Sequence, residues 1–221
     1  MSMSARILAF DRVGTVLADS LAAAWRERGG CVVDASAGGG IASALAETTP
    51  YGVVLAEPLM DESGFAGQAL TAPEEATALA DAVHRQTMTF LADCRAAIRT
   101  MMPAGRGHVL ALCLDDYAAK ILGLPQTPIA NQARAAALKS MAREYGRMGL
   151  GFNTFVCQPP REMVEKSAWR TRREQLKVYA LRYRPVGVGG YSRFILSTIN
   201  GDPPANGSVL CLGNGVMEMT A

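Results

Sequence analysis

ILAFDRVGTVLADSLAAAWRERGGCVVD, residues 7–34, opens on four apolar residues, runs through an Ala- and Leu-rich stretch, and closes on a second apolar run. Ile7-Leu8-Ala9-Phe10 shows no polar alternation, the pattern of a strand buried on both faces. From 16 to 27, Val16, Leu17, Leu21 and Trp25 recur at helical spacing, and Gly29-Gly30 ends the helix. Cys31-Val32-Val33-Asp34 reads as a second strand. A helix between two strands carries the chain back to the edge it started from, so the two strands lie parallel.

The same alternation continues outward. Gly38-Gly39-Gly40 reads as a flexible connector, followed by a short helix over residues 41–47 and a third strand over 51–56. A long helix spans 73–102, with Leu79, Val83, Phe90, Leu91, Cys94, Ile98 and Met101 as its apolar stripe, and Pro103-Ala104-Gly105 stops it. Residues 108–114 form a fourth strand, 129–147 a second long helix, 150–157 a fifth strand and 208–212 the last. The expected architecture is α/β, a Rossmann-like doubly wound parallel sheet of about six strands, with residues 1–221 as a single domain.

Composition narrows the function. Apolar residues make up 49% and charged residues 19%, an apolar excess that suits a subunit interface. The net charge of +2 gives no footprint for nucleic acid. No segment approaches the ~18 apolar residues of a membrane span, and no leader is evident, so a cytoplasmic protein is expected. Cys31, Cys94, Cys113, Cys157 and Cys211 form no short-spaced pair, and Cys113, Cys157 and Cys211 sit in strand-like runs as buried thiols. With only His84 and His108 besides, no metal site is expected.

Residues 130–153, ANQARAAALKSMAREYGRMGLGFN, resemble the active-site helix and following strand of the short-chain dehydrogenase/reductase family, with Glu144, Gly149-Leu150 and Phe152-Asn153 at the expected places. GSVLCLGNGVMEM, residues 207–219, is similar to that family's last strand and tail. Counting back from Asn153, the resemblance places the family's catalytic Tyr and Lys at Thr127 and Asn131, its Ser at Leu114 and its helix Asn near Gln86. In the family the Tyr exchanges a proton with the carbonyl oxygen, the Lys lowers the Tyr pKa and holds the ribose, and the Ser polarises the carbonyl. Threonine is a poor acid, asparagine carries no charge, and leucine donates nothing. Tyr117 and Lys120 are three apart rather than four and read as part of a loop.

The cofactor turn departs as well. The family's glycine-rich turn is replaced by Asp11, Arg12 and Gly14, and only Gly14 is a glycine. Asp34 stands where a ribose acceptor is found, and also fits a plain strand-end cap. Fewer than twenty residues separate Asp34 from the Tyr51 strand, so one edge strand and its helix are expected to be missing.

The resemblance therefore implies a catalytically inactive subunit that binds no cofactor itself. It would associate with a catalytic relative, which would hold NAD(P), in a heteromeric dehydrogenase or ketoreductase acting on hydroxyacyl or oxoacyl thioesters. Contact with that relative, or with a second copy, is expected through the two long helices, 73–102 and 129–147, and the C-terminal strand. Residues 161–184 hold eight Lys/Arg against three Glu, with Arg170, Arg172 and Arg173 beside Trp169, a place for CoA or an acyl carrier protein or simply a solvated helix face. The alternative is a relative that keeps activity, NAD(P)-dependent or nucleotide-independent, through a non-standard site.

Overall fold

Burial explains the strands. In a computed structural model, which describes residues 6–36, 39–46, 48–64, 71–165, 185–200 and 205–213, Leu8, Ala9 and Phe10 of β1 (Ile7–Phe10) are wholly buried. So are nearly all residues of β3 (Gly52–Leu55), β4 (Gly107–Leu114) and β5 (Leu150–Cys157). Strands covered on both faces need no polar alternation. With β2 (Cys31–Asp34) and β6 (Ser208–Leu212) they form one six-stranded sheet in the order β2-β1-β3-β4-β5-β6, and every neighbouring pair is parallel.

Helices cover the two faces. α1 (Val16–Glu27) and α6 (Val188–Asn200) pack on one, where Leu21, Trp25, Ile195 and Ile199 meet Phe10, Leu110 and Phe155. On the other lie α2 (Ile41–Ala44), α3 (Pro73–Met101) and α5 (Pro128–Tyr145), with Phe90, Cys94, Ile98 and Leu138 against Val53, Val109 and Phe152. The architecture is the expected Rossmann-like doubly wound sheet. Among the described residues only α2 lies between β2 and β3, and β2 is the sheet edge.

Two expectations are corrected, and one helix stands where none was expected. Tyr117 and Lys120 are not in a loop: they lie on α4 (Asp116–Leu122), capped by the Asp115 side chain on the Ala118 N–H and stopped by Gly123 at φ 67°. Seven residues directly after a strand are too few for a periodic signal, and the caps are its only trace. α6 was not anticipated either, because Gly187, Gly189 and Gly190 mask its start, although Tyr191, Ile195 and Ile199 follow helical spacing on the buried face. Cys94, Cys113 and Cys157 are buried, but Cys211 is exposed, because β6 is an edge strand with one face open.

Reversal of strand order sets the position of the site. The chain leaves β1 toward β2, then returns to place β3 on the other side of β1. Loops after β1 and β3 therefore diverge at the carboxyl ends of adjacent strands, and a crevice forms there in open α/β sheets.

Candidate functional site

Asp11 follows the last residue of β1, and its carboxylate ties the two loops together. Oδ1 accepts from the Arg12 N–H at 2.8 Å and from the Ala56 N–H, just past β3, at 2.7 Å. Burial pushes its pKa up, against the pull of the Ala56 N–H, Arg12 and Arg134. Arg12 is half-buried, with Nε and Nη2 enclosed and without a hydrogen-bond partner. Burial lowers its pKa, while Asp11 and Glu57 favour its charge.

Donors at the start of α1 are answered by side chains of the chain itself. Gly14, at φ 94°, donates its N–H to Asp19 Oδ1 at 2.7 Å. Thr15 caps the helix by accepting from the Ala18 N–H at 3.2 Å, and its hydroxyl donates to Glu57 Oε2 at 2.7 Å. Glu57 is 5% exposed, and burial raises its pKa. Asp34, at the end of β2, accepts from the Ser36 N–H and hydroxyl at 3.0 and 2.7 Å, which lowers its pKa. Gly39 and Gly40, at φ 87° and 91°, lead into α2, and Gly38 lies outside the described residues.

Two further charged groups belong to this cluster. Asp93 on α3 is half-buried, and its pKa is raised to about 6 by burial and the nearby Asp11, partly opposed by the Ile41 N–H and Arg134. Arg134 on α5 is 7% exposed. Its Nη1 donates to the Ala56 carbonyl at 2.5 Å, and its guanidinium lies 5.0 Å from the centre of the Phe90 ring. Arg12 and Arg134 thus stand with Asp11, Glu57 and Asp93 at the switch point.

The second part of the site is the amino end of α5. Leu114 ends β4, Thr127 precedes the helix and Asn131 lies one turn inside it. Asn131 Nδ2 donates to the Leu114 carbonyl at 3.0 Å and to Asp116 Oδ2 at 2.9 Å, while the Thr127 N–H donates to Asp116 Oδ1 at 2.8 Å. The fold thus brings Leu114, Thr127 and Asn131 together. Gln86 stands on α3, one turn before Phe90, with its Oε1 enclosed and without a hydrogen-bond partner.

A segment after β3 closes over this corner. Glu62, 3% exposed, accepts from the Ile129 N–H at 2.6 Å and the Ala130 N–H at 3.1 Å. Its own N–H donates to the Gln126 carbonyl at 2.7 Å, and Asp61 Oδ1 accepts from the Gln126 N–H at 3.1 Å. Thr127 and Asn131 are 5% and 6% exposed. A carboxylate satisfies two of the orphan donors of a helix start and complements its dipole. Sequence reasoning missed Glu62, Asp93 and Arg134, because Glu62 lies 67 residues from its partner Ile129 and no local pattern links them.

Next to this corner, Tyr117 lines a cleft of about 60 Å³ with Asp115, Asp116, Asn131, Val209 and Cys211. Lys120 is exposed and does not line it. Arg161 opens a short 3-10 turn, but Trp169, Arg170, Arg172 and Arg173 lie outside the described residues, as does the tail beyond Gly213. Among the described residues no group of three or more His, Cys, Asp or Glu is placed to hold a metal ion, and no helix is long and apolar enough to cross a membrane.

No protein-family model matches this chain, and no curated protein matches it. Solved structures do. A short-chain type dehydrogenase/reductase from Mycobacterium ulcerans aligns over 94% of this chain and 88% of its own, with a TM-score of 0.66 and 13% identity. The TT0495 protein from Thermus thermophilus aligns over 96% and 98%, with a TM-score of 0.63 and 16% identity. A second structure of the same Thermus thermophilus protein gives 95% and 97%, a TM-score of 0.65 and 16% identity. At such identities the likeness is one of fold, and this chain has the Rossmann-like fold of short-chain dehydrogenase/reductase-type structures.

Proposed function

We propose that this chain is a non-catalytic subunit that associates with a catalytic short-chain dehydrogenase/reductase, in a heteromeric dehydrogenase or ketoreductase acting on hydroxyacyl or oxoacyl thioesters. One observation carries the reading: the carboxylates of Asp11, Asp19 and Glu57 answer the Arg12 N–H, the Gly14 N–H and the Thr15 hydroxyl at the turn between β1 and α1. A dinucleotide places its diphosphate at this turn, on free backbone N–H groups. Here the Gly14 N–H is already engaged by Asp19, and a diphosphate would meet the carboxylate of Asp19 at the surface and that of Glu57 beneath it. The residues do not fit the cofactor, and NAD(P) belongs to the partner in this reading.

The amino end of α5 points the same way. Hydride transfer to a carbonyl needs a group that exchanges a proton near neutral pH. A threonine hydroxyl, an asparagine amide and a leucine offer none, and both Nδ2 hydrogens of Asn131 are engaged within the fold. The scaffold remains: α3, α5 and the edge strand β6 supply association surfaces. The thioester class is what the resemblance in sequence implies, and residues 161–184 are the proposed contact for CoA or an acyl carrier protein. A cytoplasmic setting goes with this reading.

The test is affinity purification of the full chain from its native host. Native mass and NAD(P)-dependent 3-hydroxyacyl-thioester oxidation are read on the isolated complex. The expected result is a stoichiometric dehydrogenase partner whose activity is lost when its own catalytic Tyr is replaced and kept when this chain carries Thr127→Val. A homomeric protein that turns over substrate unaided would overturn the reading. It would favour the alternative, an enzyme with a non-standard site, for which the cleft beside Tyr117 is the supporting observation.

A further inference from the structure

The cleft beside Tyr117 has two unlike walls. One is polar, with Asp115 and Asp116 from the start of α4 and Asn131 from α5. The other is largely apolar, with Val156 of β5 and Val209 and Cys211 of β6. In the sheet register Val156 lies beside Cys211, so alternation along the strands puts Val156, Val209 and Cys211 on one face. Asn131 is 6% exposed, and the orientation of its amide is fixed. Nδ2 donates to the Leu114 carbonyl and to Asp116 Oδ2, both acceptors, so the remaining atom is the oxygen. That Oδ1 is enclosed and has no hydrogen-bond partner. A buried amide oxygen left unanswered is costly, and a donor is what would answer it. The carboxylates beside it favour a donor that is positively charged. Asp115, 3% exposed, accepts from the Ala118 N–H at 2.7 Å. Its charge reaches the opposite wall, where burial and then Asp115 push the Cys211 thiol up. Among the described residues lining the cleft there is no Lys, Arg or His, and none belongs to the switch-point cluster.

We infer that this cleft is a binding site for the ammonium end of an unbranched primary alkylamine. An –NH3+ group carries three donors and no acceptor. Asn131 Oδ1 and the carboxylates of Asp115 and Asp116 put three acceptor groups on one wall. A carboxylate accepts at about four positions, so one that caps a helix can take a further donor. Val156 and Val209 opposite suit methylene groups, which gain by leaving water. Size limits what enters: the volume of about 60 Å³ is about two waters' share of liquid, enough for the nitrogen and the first one or two carbons. The rest of the chain leaves past Val209, which is 39% exposed on the edge strand. A bare divalent ion suits the cleft less, because such ions take about six or more oxygen ligands and the apolar wall offers none. An anion would face both carboxylates.

The site goes beyond the association reading and does not rest on it. The test is calorimetric titration of the purified full chain with n-butylammonium chloride, with alkylation of Cys211 by iodoacetamide followed in a Cys31→Ser background, where Cys211 is the exposed thiol that remains. Butan-1-ol, with the same tail and no charge, and butyltrimethylammonium, with the charge and no N–H, are the controls. The expected result is a single site with a Kd of about 1 mM or tighter, and alkylation slowed at least about fivefold at saturation. Butan-1-ol is expected not to bind, and the quaternary ion to bind at least about tenfold more weakly. Asp115→Asn removes a charge and keeps a good helix cap, and Val209→Phe fills the mouth from an exposed position. Each is expected to weaken binding at least about tenfold, with circular dichroism confirming the fold. Should Asp115→Asn unfold, Val209→Phe and the two controls decide. No binding up to about 20 mM, equal binding of the quaternary ion, or binding indifferent to Val209→Phe overturns the inference. Nα-acetyl-lysine amide separates two sources of the same end group. Binding like that of butylammonium assigns it to a side chain of a partner protein, and exclusion assigns it to a free amine; the site stands in both cases. Co-purification of a dehydrogenase bears on the catalytic-partner reading alone, so either idea can fail without the other.

Discussion

Removing the Glu62 carboxylate takes away the acceptor for two backbone N–H groups at the start of α5, and the cost follows from where those groups lie. The Ile129 N–H, on a residue 40% exposed, can turn to water, so its loss is that of an ordinary helix cap, about 1 kcal/mol. The Ala130 N–H, on a residue 3% exposed, cannot, and an unanswered buried donor costs about 1–3 kcal/mol. Loss of a negative charge at the positive end of the helix adds about 0.5 kcal/mol. Relief of a buried carboxylate offsets part of this, leaving about 2 kcal/mol for Glu62→Ala. In a chain of 221 residues that lowers Tm by about 4–8 °C. Glu62→Gln keeps one acceptor and is expected to lose about half as much.

The pH dependence has a definite sign. Burial, with Asp116 and Asp61 nearby, raises the Glu62 pKa above its ordinary 4.5. The folded state therefore holds this proton more tightly than the unfolded chain does. The margin of wild type over Glu62→Ala is full below pH 4.5 and shrinks as pH rises through the folded pKa. Thermal and urea unfolding of the two proteins between pH 4 and 8 measures it. A variant within about 0.5 kcal/mol of wild type, or a margin that widens with pH, would refute the argument. The second outcome would mean that the charge outweighs its own desolvation.

Three further outcomes follow from the switch-point cluster. NADH or NADPH at millimolar concentration is expected to leave Tm unchanged within about 1 °C in a thermal-shift assay, and a shift of several degrees would sink the reading of an acid-filled turn. Asp93→Asn is expected to stabilise the protein above pH 7 and to be neutral near pH 4. A carboxyl moved from 3.8 to about 6 costs about 3 kcal/mol before solvent screening, and about 1 kcal/mol after it for this half-buried group. That penalty develops as pH rises from about 4 to about 6, so paired urea titrations across this window read it directly. Arg134→Met removes the cation facing Asp11 and Asp93 and the donor to the Ala56 carbonyl. A loss of about 3 kcal/mol at pH 7.5 is expected, smaller at pH 5, where Asp93, raised to about 6, takes up its proton, and urea midpoints at the two pH values check it.

Residues 7–34 by themselves determine the parallel sheet, because continuous apolar runs alternating with one helix leave no other way to bury both faces. Absence of a group that ionises near neutral pH at Leu114 and Asn131 is equally a matter of residue type, and no fold can restore it. Gly14 as the single glycine of its turn was legible for the same reason. α4 escaped notice because seven residues are too short for a period, and α6 because glycines mask its start. What fills the vacated places only the tertiary structure decided. Glu62 meets Ile129, Arg134 meets the Ala56 carbonyl and Glu57 meets Thr15 across separations of 67, 78 and 42 residues. Hydrogen bonds of that range leave no local pattern: each is chosen by which strand ends the sheet order places side by side.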